Sequence, residues 1–183
     1  MLIESLKALV PPSGYTARGW TWPQVEESIG LTLPDDFKQI VTCYGPGIWA
    51  DWIILVTPQA SDSPYELVSY ASSILEGERG FLSDLTAEQR AEEFPYTLFP
   101  EPGGLYPFGY SGGGDNFYWR TAGHPNDWPV VLNYSRDTAT TEFPFGIGRL
   151  LEGYLRRELG EPAFPANECA PDKFFVQFPN FSP

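Results

Sequence analysis

Three runs, Leu105-Tyr106-Pro107-Phe108-Gly109-Tyr110, Asn116-Phe117-Tyr118-Trp119-Arg120 and Val130-Val131-Leu132-Asn133-Tyr134, decide the fold class. Each is rich in aromatic and β-branched residues, the composition of a strand packed on at least one face. A glycine-rich turn separates the first two, and Gly123-His124-Pro125-Asn126-Asp127 separates the second from the third. Short polar connections of this kind join antiparallel strands, so residues 98–134 read as a meander of hairpins.

Helical patterns flank the meander on both sides. Downstream, Phe145 to Leu159 carries Ile147, Leu150, Leu151, Tyr154 and Leu155 on one wide face, and Gly160 and Pro162 stop it. Upstream, residues 63–93 read as mainly helical from Ser63-Pro64 onward, with a break near Gly77–Gly80 and a second cap at Thr86-Ala87-Glu88-Gln89. Ile48 to Thr57 reads as one buried strand. Residues 21–44 read as two helices. In the first, Thr21 is the N-cap, Trp22, Val25 and Ile29 share a face, and Gly30 ends it. Pro34 takes the first helical position of the second, and Asp35 and Asp36 suit the positive end of its dipole. Phe37, Ile40, Val41 and Tyr44 form its apolar face. Residues 1–20 read as an N-terminal extension: a short helix with Leu2, Leu6 and Leu9 on one side, closed by Pro11-Pro12. Helices, then a sheet, then a helix give a single α+β domain, a central and largely antiparallel sheet flanked by helices.

Composition narrows the functional classes. The 183 residues are 42% hydrophobic and 16% aromatic, unlike a disordered chain. There are 18 Gly and 19 Pro, about a fifth of the chain, against an ordinary share of roughly 12%. Many turns and few long elements follow. Eleven Lys and Arg stand against 24 Asp and Glu, a net charge of −13. That balance speaks against nucleic acid, whose phosphates need clustered cations, and against anionic lipid. It permits a basic protein partner. The start of the chain lacks the basic and apolar regions of a signal peptide. The longest apolar run, Ile53-Ile54-Leu55-Val56, is far short of the roughly 20 residues of a membrane span. A soluble cytoplasmic protein is the expectation, with Cys43 and Cys169 as reduced thiols, one of them in the core.

Gly109-Tyr110-Ser111-Gly112-Gly113 matches the G-x-S-x-G pattern of a hydrolase nucleophile. That chemistry places Ser on a sharp strand-to-helix turn beside a His and an acid. Here a strand pattern follows, and the sole histidine, His124, lies beyond that strand. A hairpin turn is the better reading, and a small serine hydrolase at Ser111 is the remote one. One histidine does not make a metal site. The pairs Glu26-Glu27, Asp35-Asp36 and Glu92-Glu93 sit on helices, where adjacent side chains diverge and form no acid–base couple. Gly112-Gly113-Gly114 lacks the Lys and Ser/Thr of a phosphate loop. Trp49, Trp52, Trp119 and Trp128 read as core fillers. No catalytic residue, metal or cofactor is expected.

Val25-Glu26-Glu27-Ser28-Ile29-Gly30-Leu31-Thr32-Leu33-Pro34-Asp35-Asp36-Phe37-Lys38, followed by Tyr44-Gly45-Pro46-Gly47, resembles the opening of Smi/Knr-type proteins of the SUKH superfamily. Leu98-Phe99-Pro100, Gly103-Gly104-Leu105, Pro107-Phe108-Gly109, Gly114-Asp115, Phe117-Tyr118-Trp119 and Trp128-Pro129-Val130 continue the likeness in order. The resemblance covers residues 21–160. Residues 1–20 stay outside it as the extension, and 161–183 as an aromatic, Pro-rich tail packed on the domain (Phe174, Phe175, Phe178, Phe181). It implies an α+β fold and a non-catalytic protein-binding role. Most bacterial members of the superfamily are similar to immunity proteins that neutralise a toxin; fungal relatives resemble regulators and scaffolds of cell-wall synthesis. The implied partner is a cognate toxin, such as a basic nuclease domain, bound by a monomer or weak homodimer; the alternative is a host protein. Gly30, Leu33, Pro34, Phe37, Gly45, Gly104, Phe108, Gly109, Gly114, Trp119 and Trp128 are then motif residues that hold the fold. Asp51, Tyr110, Asp115 and Asp127 are the candidate partner contacts, chosen for their places in loops and at strand ends.

Overall fold

The computed structural model describes residues 2–12, 14–16, 19–58, 66–135, 139–159 and 168–178. Seven strands form one sheet among these residues: β1 (Gly47–Trp49), β2 (Ile53–Leu55), β3 (Leu105–Ser111), β4 (Asn116–Arg120), β5 (Val130–Asn133), β6 (Thr140–Phe143) and β7 (Phe175–Gln177). Their spatial order is β6-β5-β4-β3-β2-β1-β7, and every neighbouring pair is antiparallel. The chain is an α+β domain, with the three runs of the meander at β3, β4 and β5.

The helices are α1 (Leu2–Leu9), α2 (Trp22–Ile29), α3 (Asp35–Tyr44), α4 (Leu67–Ser83), α5 (Ala87–Glu93) and α6 (Ile147–Leu155). They lie on both faces of the sheet, and the alternation of β4 shows it. Trp119 faces α3, its ring 4.8 Å from that of Phe37. Its neighbour Tyr118 faces α4, donating to Oε1 of Glu78 at 2.8 Å. Successive strand residues point to opposite faces. On the α4 side, burial and the nearby Glu78 carboxylate push the Tyr118 phenol well above its ordinary value. Tyr70 on α4 donates to the Gly109 carbonyl at 3.0 Å. On the other side α1, α3 and α6 pack together.

Local chemistry accounts for the helix ends. Gly30 closes α2 at φ +74° and Gly45 closes α3 at φ +69°, left-handed conformations in which glycine has no Cβ penalty. Pro34 stands one residue outside α3, as its N-cap, and not at the first helical position. Phe37, Ile40, Val41 and Tyr44 are buried as the helical spacing requires. α5 starts with a complete capping box between Thr86 and Gln89.

Several expectations need correction. Residues 48–57 are not one strand but a hairpin, β1 turning into β2 through Ala50 and Asp51. Both turn residues have positive φ, 47° and 55°, and the Trp52 amide donates to the Trp49 carbonyl at 3.0 Å. Such turns usually announce themselves by Asn-Gly; here non-glycine residues carry the strain. Replacing Asp51 by Gly is expected to raise the unfolding free energy by about 0.5 kcal/mol, relief of the left-handed strain outweighing the extra freedom of the unfolded chain. A urea titration measures it. α4 runs unbroken through Gly77 and Gly80 and stops only at Asp84. α6 is shorter at both ends than Phe145–Leu159, ending where Arg157 takes a positive φ of 62°. Ser63, Pro64, Gly160, Pro162 and Phe181 lie outside the described residues. The strands β6 and β7 add to the expected set. Cys43 and Cys169 are both half-buried, so neither is a full core residue.

The N-terminal helix belongs to the core: Leu6 is fully buried, and the Tyr44 phenol donates to the Val10 carbonyl at 2.6 Å. The centre of the core is aromatic. Phe108 stacks on Trp119 with centroids 4.2 Å apart, and Phe37 meets both rings edge-on. Trp49 and Trp128 are also buried, while Trp52 is half-buried. Two close backbone approaches require glycine. A Cβ on Gly109 would lie 2.6 Å from the Ile54 carbonyl oxygen on β2, and one on Gly104 would lie 2.6 Å from the Phe99 nitrogen.

Candidate functional site

The turn between β3 and β4 is built around one hydroxyl. Ser111 is 2% exposed. Its Oγ donates to Oδ2 of Asp115 at 2.6 Å and accepts from the amides of Gly113 at 3.0 Å and Asp115 at 3.1 Å. Oδ1 of Asp115 accepts from the Ser135 amide at 3.0 Å, tying the turn to the end of β5. Gly114 sits at φ +92°, which suits glycine alone at low cost. This geometry joins two strands, whereas a nucleophile elbow joins a strand to a helix and exposes its hydroxyl. His124 stands past the other end of β4, its Nδ1 accepting from the Asn126 amide at 3.3 Å. Ser111→Ala should therefore cost about 2 kcal/mol, because it strips two amides and a carboxylate of their partner. A denaturation curve checks that, and a fluorophosphonate probe is expected to leave the native protein unlabelled.

The four candidate contact residues fall at two ends of the sheet. Asp51, Tyr110 and Asp115 share one end, where the β1–β2 and β3–β4 turns meet and the Gly112 amide donates to the Trp52 carbonyl at 2.8 Å. Asp51 is exposed, Tyr110 and Asp115 are half-buried. Tyr110 packs its ring against Tyr70, centroids 5.8 Å apart. Asp115 spends its carboxylate on the turn itself. Asp51 accepts from the Cys169 thiol at 3.2 Å on the rim of a hollow of about 540 Å³, floored by Trp52 and Tyr154 and bordered by Lys173. Burial and the Asp51 carboxylate push the Cys169 thiol up.

Asp127 is exposed at the opposite end, in a short 3-10 helix (Pro125–Asp127) before β5. It borders a second hollow, about 480 Å³, with Asp35, Asp36 and Arg149. Asp36 joins the starts of α3 and α6: Oδ1 accepts from the Phe37 amide at 2.7 Å and Oδ2 from the Gly148 amide at 2.9 Å. Burial pushes its carboxyl up despite these bonds. Asp35 is held below the usual range by the Asn126 side chain and Lys38. Asp36 therefore serves the positive ends of both helices.

A further acidic stretch lies elsewhere. Residues 76–93, the end of α4 and all of α5, carry six carboxylates and two arginines. α5 has no buried residue. Among the described residues Phe81 (48%) and Val176 (43%) are the large apolar side chains left exposed. The sequence shows this segment's charges but not that Phe81 faces outward, since a helical aromatic is ordinarily core.

Among the described residues no group of three or more His, Cys, Asp or Glu is placed to hold a metal ion. No helix among them is long and apolar enough to cross a membrane. A family model described as SMI1-KNR4 cell-wall (SUKH_6) matches residues 21–144, more than half of the chain. No curated protein and no solved structure matches it.

Proposed function

From the premise that the chain belongs to the SMI1-KNR4 cell-wall family, a family of protein-binding modules, we propose that it is an immunity protein. It binds a cognate toxin in the cytoplasm and blocks the toxin's site stoichiometrically, without catalysis of its own. The observation that carries this reading is the family match over residues 21–144. The net charge of −13 supports it. A nuclease toxin presents a basic face to phosphate, and an opposite charge steers two proteins together.

The test is co-expression with the toxin domain encoded next to this gene. Rescue of growth and a one-to-one complex are expected; neither rescue nor complex overturns the immunity reading. Steering adds a kinetic signature. Raising salt from about 50 mM to about 500 mM should slow association about tenfold or more and leave dissociation nearly unchanged, because screening acts on the encounter. Stopped-flow fluorescence reads both rates.

The cell-wall description of the family favours one second reading, a regulatory scaffold that binds host proteins. It predicts no toxin gene beside this one and a complex with a resident protein whose loss alters the wall.

A further inference from the structure

The outer face of α4 carries a pattern that the fold itself does not use. Gly77, Gly80, Phe81 and Asp84 recur at i, i+3, i+4 and i+7, so they share one side of the helix. All four are exposed. Glycine inside a helix is less favourable than alanine, for backbone entropy. It is normally retained where φ is positive or where something approaches too closely for a Cβ. Neither condition holds among the described residues. Gly77 and Gly80 are regular helical residues, and a Cβ on either would meet nothing within 4 Å. Among the described residues nothing covers them, and the lane stands open to a partner.

Two further features give that visitor its chemistry. Phe81 stands at the end of the glycine lane with 48% of its surface exposed. An exposed aromatic is the residue type that anchors interfaces by filling a pocket on the partner. The surrounding charge is negative: Glu76 and Asp84 flank the lane and Glu88 opens α5. Of the two arginines here, Arg79 reaches back with Nη2 to the Phe99 carbonyl at 2.5 Å, and Arg90 on α5 is outnumbered by Glu88, Glu92 and Glu93.

We propose that this face of α4 is the surface on which the chain docks a basic partner protein. The partner's backbone runs close over Gly77 and Gly80, Phe81 enters an apolar pocket on it, and the carboxylates meet its cations. The inference rests on the immunity reading above, with the toxin domain as that basic partner.

The test uses a catalytically inactive toxin domain from the neighbouring gene and isothermal titration calorimetry. Phe81→Ala should leave the thermal midpoint of the free chain unchanged and weaken binding about tenfold or more. The double variant Gly77→Ala/Gly80→Ala should raise that midpoint, by helix propensity, yet weaken binding about tenfold. A glycine kept only for the fold would not produce more stability together with less binding. Tight binding by the native chain and equal binding by either variant overturns the docking surface and leaves immunity standing. No binding by the native chain overturns the immunity reading and this one with it. Sedimentation equilibrium adds the remaining occupant: self-association abolished by Phe81→Ala, with toxin affinity unchanged, assigns the face to a second copy and overturns the proposal.

Discussion

Trp119→Ala is expected to remove about 3–5 kcal/mol of stability, a large part of what a domain of this size possesses. Trp119 is fully buried on β4, the middle strand of the meander. Phe108 stacks on it at 4.2 Å, Phe37 meets it edge-on at 4.8 Å, and Tyr106 and Trp128 lie 6.3 Å away. The substitution opens a cavity against all four rings and removes pair interactions worth about 0.5–1.5 kcal/mol each. Trp119→Phe separates the causes. Among the described residues the buried indole Nε1 has no hydrogen-bond partner, so losing it removes a cost. The phenylalanine variant should therefore lose no more than about 2 kcal/mol, a smaller cavity partly offset by that relief. Guanidinium titrations of the three proteins measure both steps. A loss near 1 kcal/mol for the alanine variant would show that the aromatic cluster is not the centre of the core.

What could be read from the residues follows a physical division. Elements with a strong local period were legible: α3 through Phe37, Ile40, Val41 and Tyr44, and β3 to β5 through dense aromatic runs between turns. The hairpin at residues 50 and 51 was hidden because Ala-Asp is not a turn signature, and only strand pairing makes its positive φ values worthwhile. β6 was hidden because an edge strand is largely solvated; Thr140, Thr141 and Glu142 carry no apolar run. The glycines at 77 and 80 suggested a break, but Leu75 and Leu82 hold α4 against the core on either side. The candidate contacts show the same limit. A residue's place in a loop is visible in sequence; which end of the sheet that loop occupies is not. Hence Asp51 and Asp127 stand at opposite ends, and Asp115 is consumed by its own turn.

Phe175→Ala carries the second large effect, about 3 kcal/mol, at the low end for a phenylalanine because its side chain is only half-buried. Residues 161–183 lie beyond the reach of the family resemblance, yet residues 175–177 complete the sheet. Phe175 sits 4.7 Å from Trp49 and 5.3 Å from Tyr44, ring to ring. It fills the notch that Gly47 leaves open: a Cβ there would come within 2.5 Å of the Phe175 ring. Backbone bonds follow that packing, from Ala50 N to Phe174 O at 3.0 Å and from Phe178 N to Pro46 O at 3.1 Å. Such bonds alone contribute only about 1 kcal/mol each, less than the cost of ordering the segment. The aromatic contact must therefore hold β7 in place, and without it the strand should detach. Hydrogen exchange would then speed up at Ile48, whose strand β1 becomes the new edge, while β4 and β5 stay protected. An exposed flat edge invites pairing between chains, so the variant should also aggregate at concentrations the native protein tolerates. Unchanged protection at Ile48 would mean that the ladder, and not the ring, secures the last strand.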